Sequence, residues 1–472
     1  MLPKRNQPFL KTPNANASLT FQQLTRTIAL QLLIIGLAGA MLVFSQKTTP
    51  EDWLSQNDLS KDLKLLATPY CLLIASVALL TTLIASISPL LAMSGCVILV
   101  NSFDRYSVEN MWNHYYGVNH LAALSVLVGS FSAIKKRGGE ANQYTRRTTW
   151  FLVAYMLWIC ANEAYHLFIA NSGPSFCLRT WFHAFTAIAF VMILLNFKIE
   201  PYEIDLFAFA LAIPLCYRRF CLGESLYLNH DFPSYAVCSI PMLIFVSSHG
   251  WILKRLSSMM TALALVYMIL ETDNRGGFVG LLFSIAGLLL GLSWKIAPAV
   301  VFLMPFLMFL LHSIKPSFFK RFTDILHNGP AAGSFFSRFA IYSIAFSLPP
   351  ITYVFGVGLG RFGKKVLEKK PELGAINAHN SWISALTELG ILGLVFFSLL
   401  LTIATVASYQ LTGKKEHLQR IIGLACLSAI FGYCGISLAI ARDLFLPFYI
   451  ISGIALSKLF NTRPGKITEE NA

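Results

Sequence analysis

The chain alternates between long apolar runs and short polar segments, and each apolar run is about as long as a membrane-crossing helix. Such a helix needs about 20 mostly apolar residues, because the lipid interior offers no hydrogen-bond partner to its backbone. The pattern therefore predicts an all-α polytopic integral membrane protein with about 12–14 transmembrane helices. The predicted spans are residues 27–45, 65–82, 84–101, 118–134, 149–170, 179–197, 203–217, 234–250, 256–271, 277–294, 296–313, 381–405, 419–440 and 443–460.

The composition favours a single membrane domain. Of the 472 residues, 56% are hydrophobic and 13% are charged, whereas about one quarter of an average soluble protein is charged. The longest segment of soluble-type composition is the loop 314–380, so no separate soluble domain is expected. We divide the chain into two tails, two groups of spans and this loop: residues 1–26, 27–313, 314–380, 381–460 and 461–472.

The basic residues predict the orientation of the chain. The formal net charge is +14, but Lys and Arg lie at the ends of apolar runs and form no single patch, so a nucleic acid is not an expected partner. Cytoplasmic loops of membrane proteins are enriched in Lys and Arg. We therefore expect both termini in the cytoplasm, because the short loops on that side then contain Lys135, Lys136, Arg137, Arg146, Arg147, Lys254, Arg255, Lys295, Lys414, Lys415, Arg420, Arg463 and Lys466.

The long loop, on the opposite face, also has an excess of positive charge. Its basic residues are Lys315, Lys320, Arg321, Arg338, Arg361, Lys364, Lys365, Lys369 and Lys370. Two explanations stay open: binding of an anionic ligand at the membrane surface, such as a lipid-linked phosphate, or attraction to anionic lipid headgroups. Within the loop we expect an interfacial helix up to Ser347, because Pro349 and Pro350 would end it.

A glycine-rich stretch follows this helix. Gly358, Gly360 and Gly363 match the pattern G-x-G-x-x-G, which marks a dinucleotide site only between a strand and a helix of a βαβ unit. The stretch lies in an external loop between spans, so we reject the dinucleotide interpretation. We predict a tight turn at Gly356, Gly358 and Gly360 that brings the backbone close to another part of the protein.

Three residues are candidates for catalysis at the external face. Arg275 lies between two spans and is flanked by two glycines, although Asp273 is an alternative ion-pair partner for it. Arg338 lies in the long loop, and His379 precedes the next span, where a lone histidine is also a common polar anchor. Together they offer two permanent cations and one group that titrates near neutral pH.

Other polar groups lie within the apolar runs. Asn162, Glu163 and His166 are near the outer end of the fifth span, and Arg442-Asp443 lies between the last two spans. Buried hydrogen bonds between helices and an Arg–Asp pair are the favoured interpretations, with an acceptor or proton path as the alternative. The nine cysteines have no metal-ligand spacing, so neither a zinc site nor a disulfide framework is expected.

The order of these features resembles the O-antigen ligase and polymerase superfamily of bacterial envelope glycan enzymes. The resemblance covers about residues 256–405, and Asn274 replaces the serine that usually precedes the first arginine. It rests on Asn274-Arg275-Gly276-Gly277 opening a span, Ser337-Arg338 in the loop, the turn from Gly356 to Phe362, and His379-Asn380 leading into Glu388-Leu389-Gly390-Ile391-Leu392-Gly393.

The resemblance implies an inverting, metal-independent glycosyltransferase of the broad C-type membrane class that needs no cofactor. It implies a multi-pass protein of the bacterial inner membrane with a periplasmic active site and a glycan on undecaprenyl diphosphate as donor. The acceptor is lipid A-core in ligases, a lipid-linked glycan in polymerases, or a protein hydroxyl in O-oligosaccharyltransferases. Mapped onto this chain, Arg275 and Arg338 hold the diphosphate, and His379 contacts or deprotonates the acceptor hydroxyl.

Three other functions compete with this one. A lipid-glycan transporter or flippase would also have many helices, but transporters commonly contain paired repeats, and no convincing repeat relates the two halves of this chain. A scaffold whose basic loop binds a partner is the second alternative. The third is a polymerase of lipid-linked peptidoglycan precursors, which would need an acidic catalytic residue in the loop, where Asp324 is the only aspartate.

Overall fold

The computed structural model describes residues 69–102, 112–138, 142–169, 177–220, 232–271, 275–293, 333–373, 380–438 and 446–461, with the single residues 295, 299, 306 and 378. The chain divides into two units, residues 1–80 and 81–472. Of the first unit, the structure describes the start of one helix. Across the described residues the regular structure is helical, apart from an isolated bridge between Gly138 and Phe197.

The described helices follow the predicted spans closely. They are α1 (Pro69–Ala85), α2 (Pro89–Ser102), α3 (Trp112–Arg137), α4 (Gln143–Phe168), α5 (Cys177–Leu195), α6 (Pro201–Phe220), α7 (Phe232–Ser247), α8 (Ile252–Glu271), α9 (Arg275–Leu292), α10 (Gly333–Phe346), α11 (Pro350–Phe355), α12 (Phe362–Lys369), α13 (Ser381–Thr412), α14 (His417–Ser437) and α15 (Leu446–Phe460). The predicted spans 27–45 and 296–313 lie outside the described residues, apart from positions 299 and 306.

Several predicted boundaries are corrected by local chemistry. Helix α4 begins at Gln143 and not at residue 149, because the side chain of Asn142 accepts a hydrogen bond from the Thr145 amide at 2.8 Å and caps the helix. Helix α2 begins at Pro89 and not at residue 84, since proline fits the first turn of a helix but not its interior. The predicted loop 314–380 contains three helices, α10 to α12, and α10 ends at Phe346 as expected.

The apolar helices are those of an integral membrane protein. Among the described residues, three helices are long and apolar enough to cross a membrane: Ile252–Glu271, Ser381–Thr412 and His417–Ser437. Six shorter apolar helices accompany them: Ser76–Ala85, Pro89–Ile98, His183–Leu195, Phe232–Ser247, Gly276–Leu292 and Leu446–Phe460. The structure therefore agrees with an all-α membrane protein.

Small residues bring α9 and α14 into close contact. A methyl group added to Gly280 would lie 2.4 Å from the Ile436 side chain, and one added to Gly287 would lie 2.8 Å from Phe431. Between these glycines, the hydroxyls of Ser284 and Ser428 are 2.9 Å apart. Helices in membranes commonly pack through such small residues, which let the backbones approach closely. This contact fixes the helix that begins at Arg275.

One end of the helix bundle is held by polar contacts between helix termini. Arg137, at the end of α3, lies 3.4 Å from Glu203 at the start of α6, and its guanidinium stacks 4.7 Å from the centre of the Phe197 ring. The Asn142 amide donates to the carbonyl of Phe460 at 3.0 Å. These contacts place four helix termini together at one end of the bundle: the C-termini of α3 and α15 and the N-termini of α4 and α6. The short loops at this end are the ones whose charge predicts a cytoplasmic location.

Candidate functional site

Helix α13 is broken at Gly390, near the opposite end of the bundle. Gly390 has φ 72° and ψ −171°, a backbone conformation that is essentially confined to glycine. The rings of Trp382 and Phe397 are 5.3 Å apart, whereas fifteen residues of straight helix would span about 22 Å. The segment before the break therefore folds back beside the segment after it. The sequence had predicted one uninterrupted span over 381–405.

The break frees three carbonyl groups, and each receives a hydrogen bond from another part of the chain. In a continuous helix, the carbonyls of residues 387–389 would accept from amides four residues later. Inside a membrane protein such irregular backbone is tolerated only where it is buried and satisfied. The replacement donors are the Val357 amide to Thr387 at 2.7 Å, the Gly358 amide to Glu388 at 3.0 Å and the Trp158 indole Nε1 to Leu389 at 3.0 Å.

Two of these donors belong to the segment Phe355–Arg361, which we call the glycine turn. Its glycines Gly356, Gly358 and Gly360 have φ values of 74°, 92° and 69°. A methyl group on Gly356 would lie 2.1 Å from the carbonyl oxygen of Glu388, and one on Gly390 would lie 2.1 Å from that of Val354. The glycine turn and the break in α13 therefore touch backbone to backbone, which only glycine at both positions allows.

Five backbone amides of the glycine turn donate hydrogen bonds within the protein. Besides the two bonds to the broken helix, the Gly360 amide donates to the carboxylate Oε2 of Glu388 at 2.9 Å. The Gly356 and Arg361 amides donate to the carbonyls of Thr352 at 2.6 Å and Gly358 at 3.2 Å. A phosphate-binding loop points its amides at the ligand, so this geometry supports rejecting the dinucleotide interpretation. The glycine turn links α11 to α12 in the chain and attaches both to α13 through these hydrogen bonds.

The C-terminal end of α4 contacts the other side of the glycine turn. Glu163 Oε1 accepts a hydrogen bond from Arg361 Nη2 at 2.9 Å, and both side chains are at least 90% buried. The Asn162 side-chain amide donates to the carbonyl of Phe355, and the Tyr165 and Phe355 rings stack with their centres 4.8 Å apart. We had favoured hydrogen bonds between helices for Asn162 and Glu163. Their partner is instead the glycine turn of the long loop.

This end of α4 also has unused hydrogen-bonding capacity. Asn162 Oδ1, Glu163 Oε2 and His166 Nε2 are buried and have no hydrogen-bond partner among the described residues. The His166 ring lies against the glycine turn, since a methyl group on Gly358 would be 3.0 Å from its Cδ2 atom. Buried polar atoms are usually satisfied by protein or by ordered water, so the arrangement leaves room for further hydrogen bonds beside the turn.

The three loop helices pack around one apolar cluster. Its buried members are Ile341, Ile344, Ala345, Leu348, Phe362, Val366 and Ala378. The Tyr353 hydroxyl on α11 donates to the carbonyl of Ala345 on α10 at 3.1 Å, and the Lys369 ammonium on α12 donates to the Ser347 hydroxyl at 2.9 Å. The helices α10, α11 and α12 of the long loop thus form a small packed unit next to the glycine turn.

The cluster contains residues that are close in sequence to the candidates Arg338 and His379. Arg338 is half-buried on α10, one helical turn before Ile341. His379 is outside the described residues, but its neighbour Ala378 is fully buried in the cluster. Its other neighbour, Asn380, caps α13 by accepting hydrogen bonds from two backbone amides at 2.9 and 3.2 Å. The cluster therefore brings the helix of Arg338 to the chain segment that contains His379.

Arg275 lies at the same end of the bundle. It is the first residue of α9, and its side chain is outside what the structure describes. Gly280, further along α9, contacts Ile436 near the end of α14. Helices α13 and α14 pack as an antiparallel pair joined by residues 413–416, so the end of α14 lies level with the broken part of α13.

The exposed face of α12 carries much of the loop's positive charge. Lys365 donates to the Glu368 carboxylate at 2.7 Å, and this hydrogen bond lowers the pKa of Glu368 below its usual range. Lys364 and Lys369 are also exposed on this helix. Among the described residues, no group of three or more His, Cys, Asp and Glu side chains is arranged to hold a metal ion.

These features define an all-α integral membrane protein in which, among the described residues, the packed long loop meets a helix with a broken backbone. Residues 260–398 match the family model of the O-antigen ligases. This match confirms the resemblance to the O-antigen ligase and polymerase superfamily, whose members are glycosyltransferase-like enzymes. The matched region includes Arg275, Arg338, the glycine turn and His379, whereas α4 lies outside it. No curated protein matches the chain.

Proposed function

We propose that the protein is an inverting, metal-independent glycosyltransferase of the O-antigen ligase type. It transfers a glycan from undecaprenyl diphosphate to an acceptor hydroxyl at the periplasmic face of the bacterial inner membrane, and lipid A-core is the acceptor that we favour. Arg275 and Arg338 bind the donor diphosphate, and His379 accepts the proton of the acceptor hydroxyl. The family match and the grouping of these three positions at one end of the bundle support this assignment.

The observation that carries the proposal is the apolar cluster of the loop. It joins Ile341, one turn after Arg338, to Ala378, the residue before His379. A cation that holds a leaving group and a base that activates an acceptor must lie on either side of the same reacting carbon. Catalysis requires this geometry to be held closely, and side chains on a packed unit satisfy that need better than a mobile loop.

The chemistry needs no more than these groups and the two substrates. The acceptor oxygen attacks the anomeric carbon from the side opposite the diphosphate, so the new glycosidic bond has inverted configuration. The bond from that carbon to the diphosphate oxygen breaks, and lipid diphosphate leaves with the bonding electrons. Guanidinium groups stabilise the negative charge that develops on the leaving oxygens, and the His379 imidazole takes the acceptor proton.

The placement at the periplasmic face rests on the two ends of the bundle. The end that contains Arg137 and Asn142 adjoins short loops rich in Lys and Arg, as expected for the cytoplasmic side. The break at Gly390 and the glycine turn lie toward the other end. After the break, residues 391–412 extend for about 33 Å, enough to cross a hydrocarbon core of about 30 Å. The broken segment therefore lies near one membrane surface.

The His379→Ala variant is expected to lower kcat by about 100- to 10,000-fold, because proton removal by a positioned base contributes about that much. The KM for the donor should change by less than about threefold, since the guanidinium groups that bind the diphosphate are intact. Initial rates measured over a range of donor concentrations separate the two constants. A kcat equal to that of the unmodified protein would exclude His379 as the base.

Chelation is expected to leave transfer unchanged. The proposed charge stabilisation comes from arginine side chains, so purified protein in excess EDTA should retain its full initial rate. The measurement is a time course of product with and without the chelator. An activity that disappears in EDTA and returns on addition of Mg²⁺ or Mn²⁺ would contradict the metal-independent mechanism.

Deletion of the gene distinguishes the acceptor classes. A ligase predicts lipid A-core without polymerised glycan and an accumulation of long lipid-linked chains. Single repeat units on the core would indicate a polymerase, and an unchanged core with unglycosylated protein would indicate an O-oligosaccharyltransferase. The broken helix α13 also suits a transporter or flippase. In that case, lipid-linked glycan would accumulate on the cytoplasmic leaflet of the deletion strain.

A further inference from the structure

The outer end of α4 contacts the backbone at the centre of the candidate site although it lies outside the matched region. Three of its side chains lie less than two helical turns apart, and each binds the broken helix or the glycine turn. Trp158 donates to the carbonyl of Leu389 at 3.0 Å, Asn162 donates to that of Phe355, and Glu163 binds the Arg361 side chain at 2.9 Å. This part of α4 therefore forms hydrogen bonds with both the broken helix and the glycine turn.

The contact between Glu163 and Arg361 is a buried ion pair. A buried charge is tolerated only beside a partner, and removing one member leaves the other uncompensated. Glu163 is 3% exposed and Arg361 is 8% exposed. Because α4 is a long helix packed in the bundle, Glu163 provides a fixed anchor to which the end of the glycine turn is held.

Arg361 connects the anchored glycine turn to the packed helices of the long loop. It is the residue directly before α12, whose first turn begins with Phe362. Phe362 and Val366 on α12 are fully buried in the apolar cluster together with Ile341 and Ala378. A displacement of Arg361 would therefore move α12 and, through the cluster, the positions next to Arg338 and His379.

We propose that Glu163 is a positioning residue for the transfer reaction: by holding Arg361, it fixes the glycine turn and thereby the spacing between the donor-binding and base-bearing segments. The inference rests on the proposed function. It assigns α4 a role in catalysis without contact to either substrate. A misplacement of about 1 Å can lower a rate about 100-fold. We therefore expect a substitution of Glu163 to lower kcat and to leave the affinity for the donor unchanged.

The test compares Glu163→Gln with Asp205→Asn in otherwise unmodified full-length protein. Asp205 is a matched control, because it is a buried carboxylate bound to Lys254 at 2.7 Å and to His249 at 3.0 Å at the other end of the bundle. Glu163→Gln is expected to lower kcat by about 10- to 100-fold with a donor KM within about threefold. Asp205→Asn should lower the unfolding temperature similarly while its kcat stays within about twofold.

A second readout follows the position of the turn and needs no activity. The amides of Gly358 and Gly360 donate to Glu388, so they should be protected from hydrogen exchange. Glu163→Gln should speed exchange in peptides covering residues 356–361 at least tenfold and leave those covering residues 205–254 unchanged. Asn162→Ala is the alternative variant if Glu163→Gln does not fold, because it removes the neutral hydrogen bond to the same turn. It should also lower kcat and speed exchange at residues 356–361, by smaller factors than those expected for Glu163→Gln.

Two results would overturn the inference while leaving the proposed function intact. In the first, the unmodified protein transfers glycan and Glu163→Gln transfers it at the same kcat. In the second, Asp205→Asn loses as much kcat as Glu163→Gln, which would make the effect one of general stability. An unmodified protein that forms no glycosidic bond would instead refute the proposed function, and the hydrogen exchange comparison would still test whether Glu163 holds the turn.

Discussion

Replacing Arg338 with alanine is expected to lower the rate of glycan transfer by about 100- to 1,000-fold, the usual loss when one group that stabilises developing charge is removed. Arg275→Ala should have an effect of the same size. Both guanidinium groups are assigned to the diphosphate, whose leaving oxygens gain negative charge as the glycosidic linkage breaks. Either variant should therefore leave the donor bound less tightly and, once bound, less reactive.

The substitution of Arg338 by lysine sharpens this prediction. Lysine keeps the charge but offers a point donor, whereas arginine binds two phosphate oxygens at once through a planar group. We expect Arg338→Lys to recover part of the lost rate. Arg146→Ala is a suitable control, because Arg146 is exposed in the first turn of α4, at the opposite end of the bundle.

The measurements for the arginine variants are initial rates of transfer and glycan ladders on gels, with membrane insertion checked by the amount of protein in the membrane fraction. Arg146→Ala should match the unmodified protein in all three. Normal ladders from correctly inserted Arg338→Ala or Arg275→Ala would remove that arginine from the diphosphate site. Equal losses in Arg146→Ala would point to a general charge effect.

The second large effect is expected at Gly390. Alanine there would place a methyl group 2.1 Å from the carbonyl oxygen of Val354, in a backbone conformation that side chains disfavour. The backbone strain alone costs on the order of 1–3 kcal/mol, and relieving the clash would separate α13 from the glycine turn. We therefore expect Gly390→Ala to lose nearly all transfer activity and to unfold at a lower temperature.

Gly413→Ala is the matched control for Gly390→Ala. Gly413 follows the end of the same helix, with φ −83°, and a methyl group there would meet its nearest neighbour at 3.6 Å, ordinary van der Waals contact. It should keep both activity and unfolding temperature. The measurements are thermal unfolding of purified protein and initial rates of transfer. An active Gly390→Ala protein of normal stability would mean that the close contact between the two backbones is not needed.

Much of the fold could be predicted from the apolar pattern, because helices that cross a membrane must satisfy their backbone within the helix. The predicted helix boundaries were less accurate where a side-chain cap extends a helix beyond its apolar run, as Asn142 does at the start of α4. The glycine turn could be anticipated from its three glycines. The segment that the turn contacts, the break in α13, could not be predicted, because the local sequence does not show which distant backbone a turn approaches.

The break in α13 was missed for a related reason. Gly390 lies in an apolar run with strong helical character, and a single glycine there costs a helix only about 1 kcal/mol. What opposes the helix is tertiary: the glycine turn donates backbone amides to the carbonyls of Thr387 and Glu388, and the indole N–H of Trp158 donates to that of Leu389. A helix break of this kind becomes visible only when its replacement donors are known.

The role of Arg361 was hidden by its surroundings. It is one of nine basic residues in the long loop, and its charge was counted with the others. The structure separates it from them, because it is buried against Glu163 while Lys364 and Lys365 next to it are more exposed. The signal that could have found the pair is the carboxylate of Glu163 inside an apolar run, which requires a cationic partner from another segment.

The most direct test of glycan transfer is a reconstitution of the purified protein in proteoliposomes with a glycan on undecaprenyl diphosphate and lipid A-core as acceptor. Each glycan joined to the acceptor should release one undecaprenyl diphosphate, with inverted configuration at the linking carbon. The opposite result would be a glycan that crosses the bilayer still attached to its lipid, with no undecaprenyl diphosphate released. That outcome would make the protein a transporter and contradict the assignment of Arg275, Arg338 and His379.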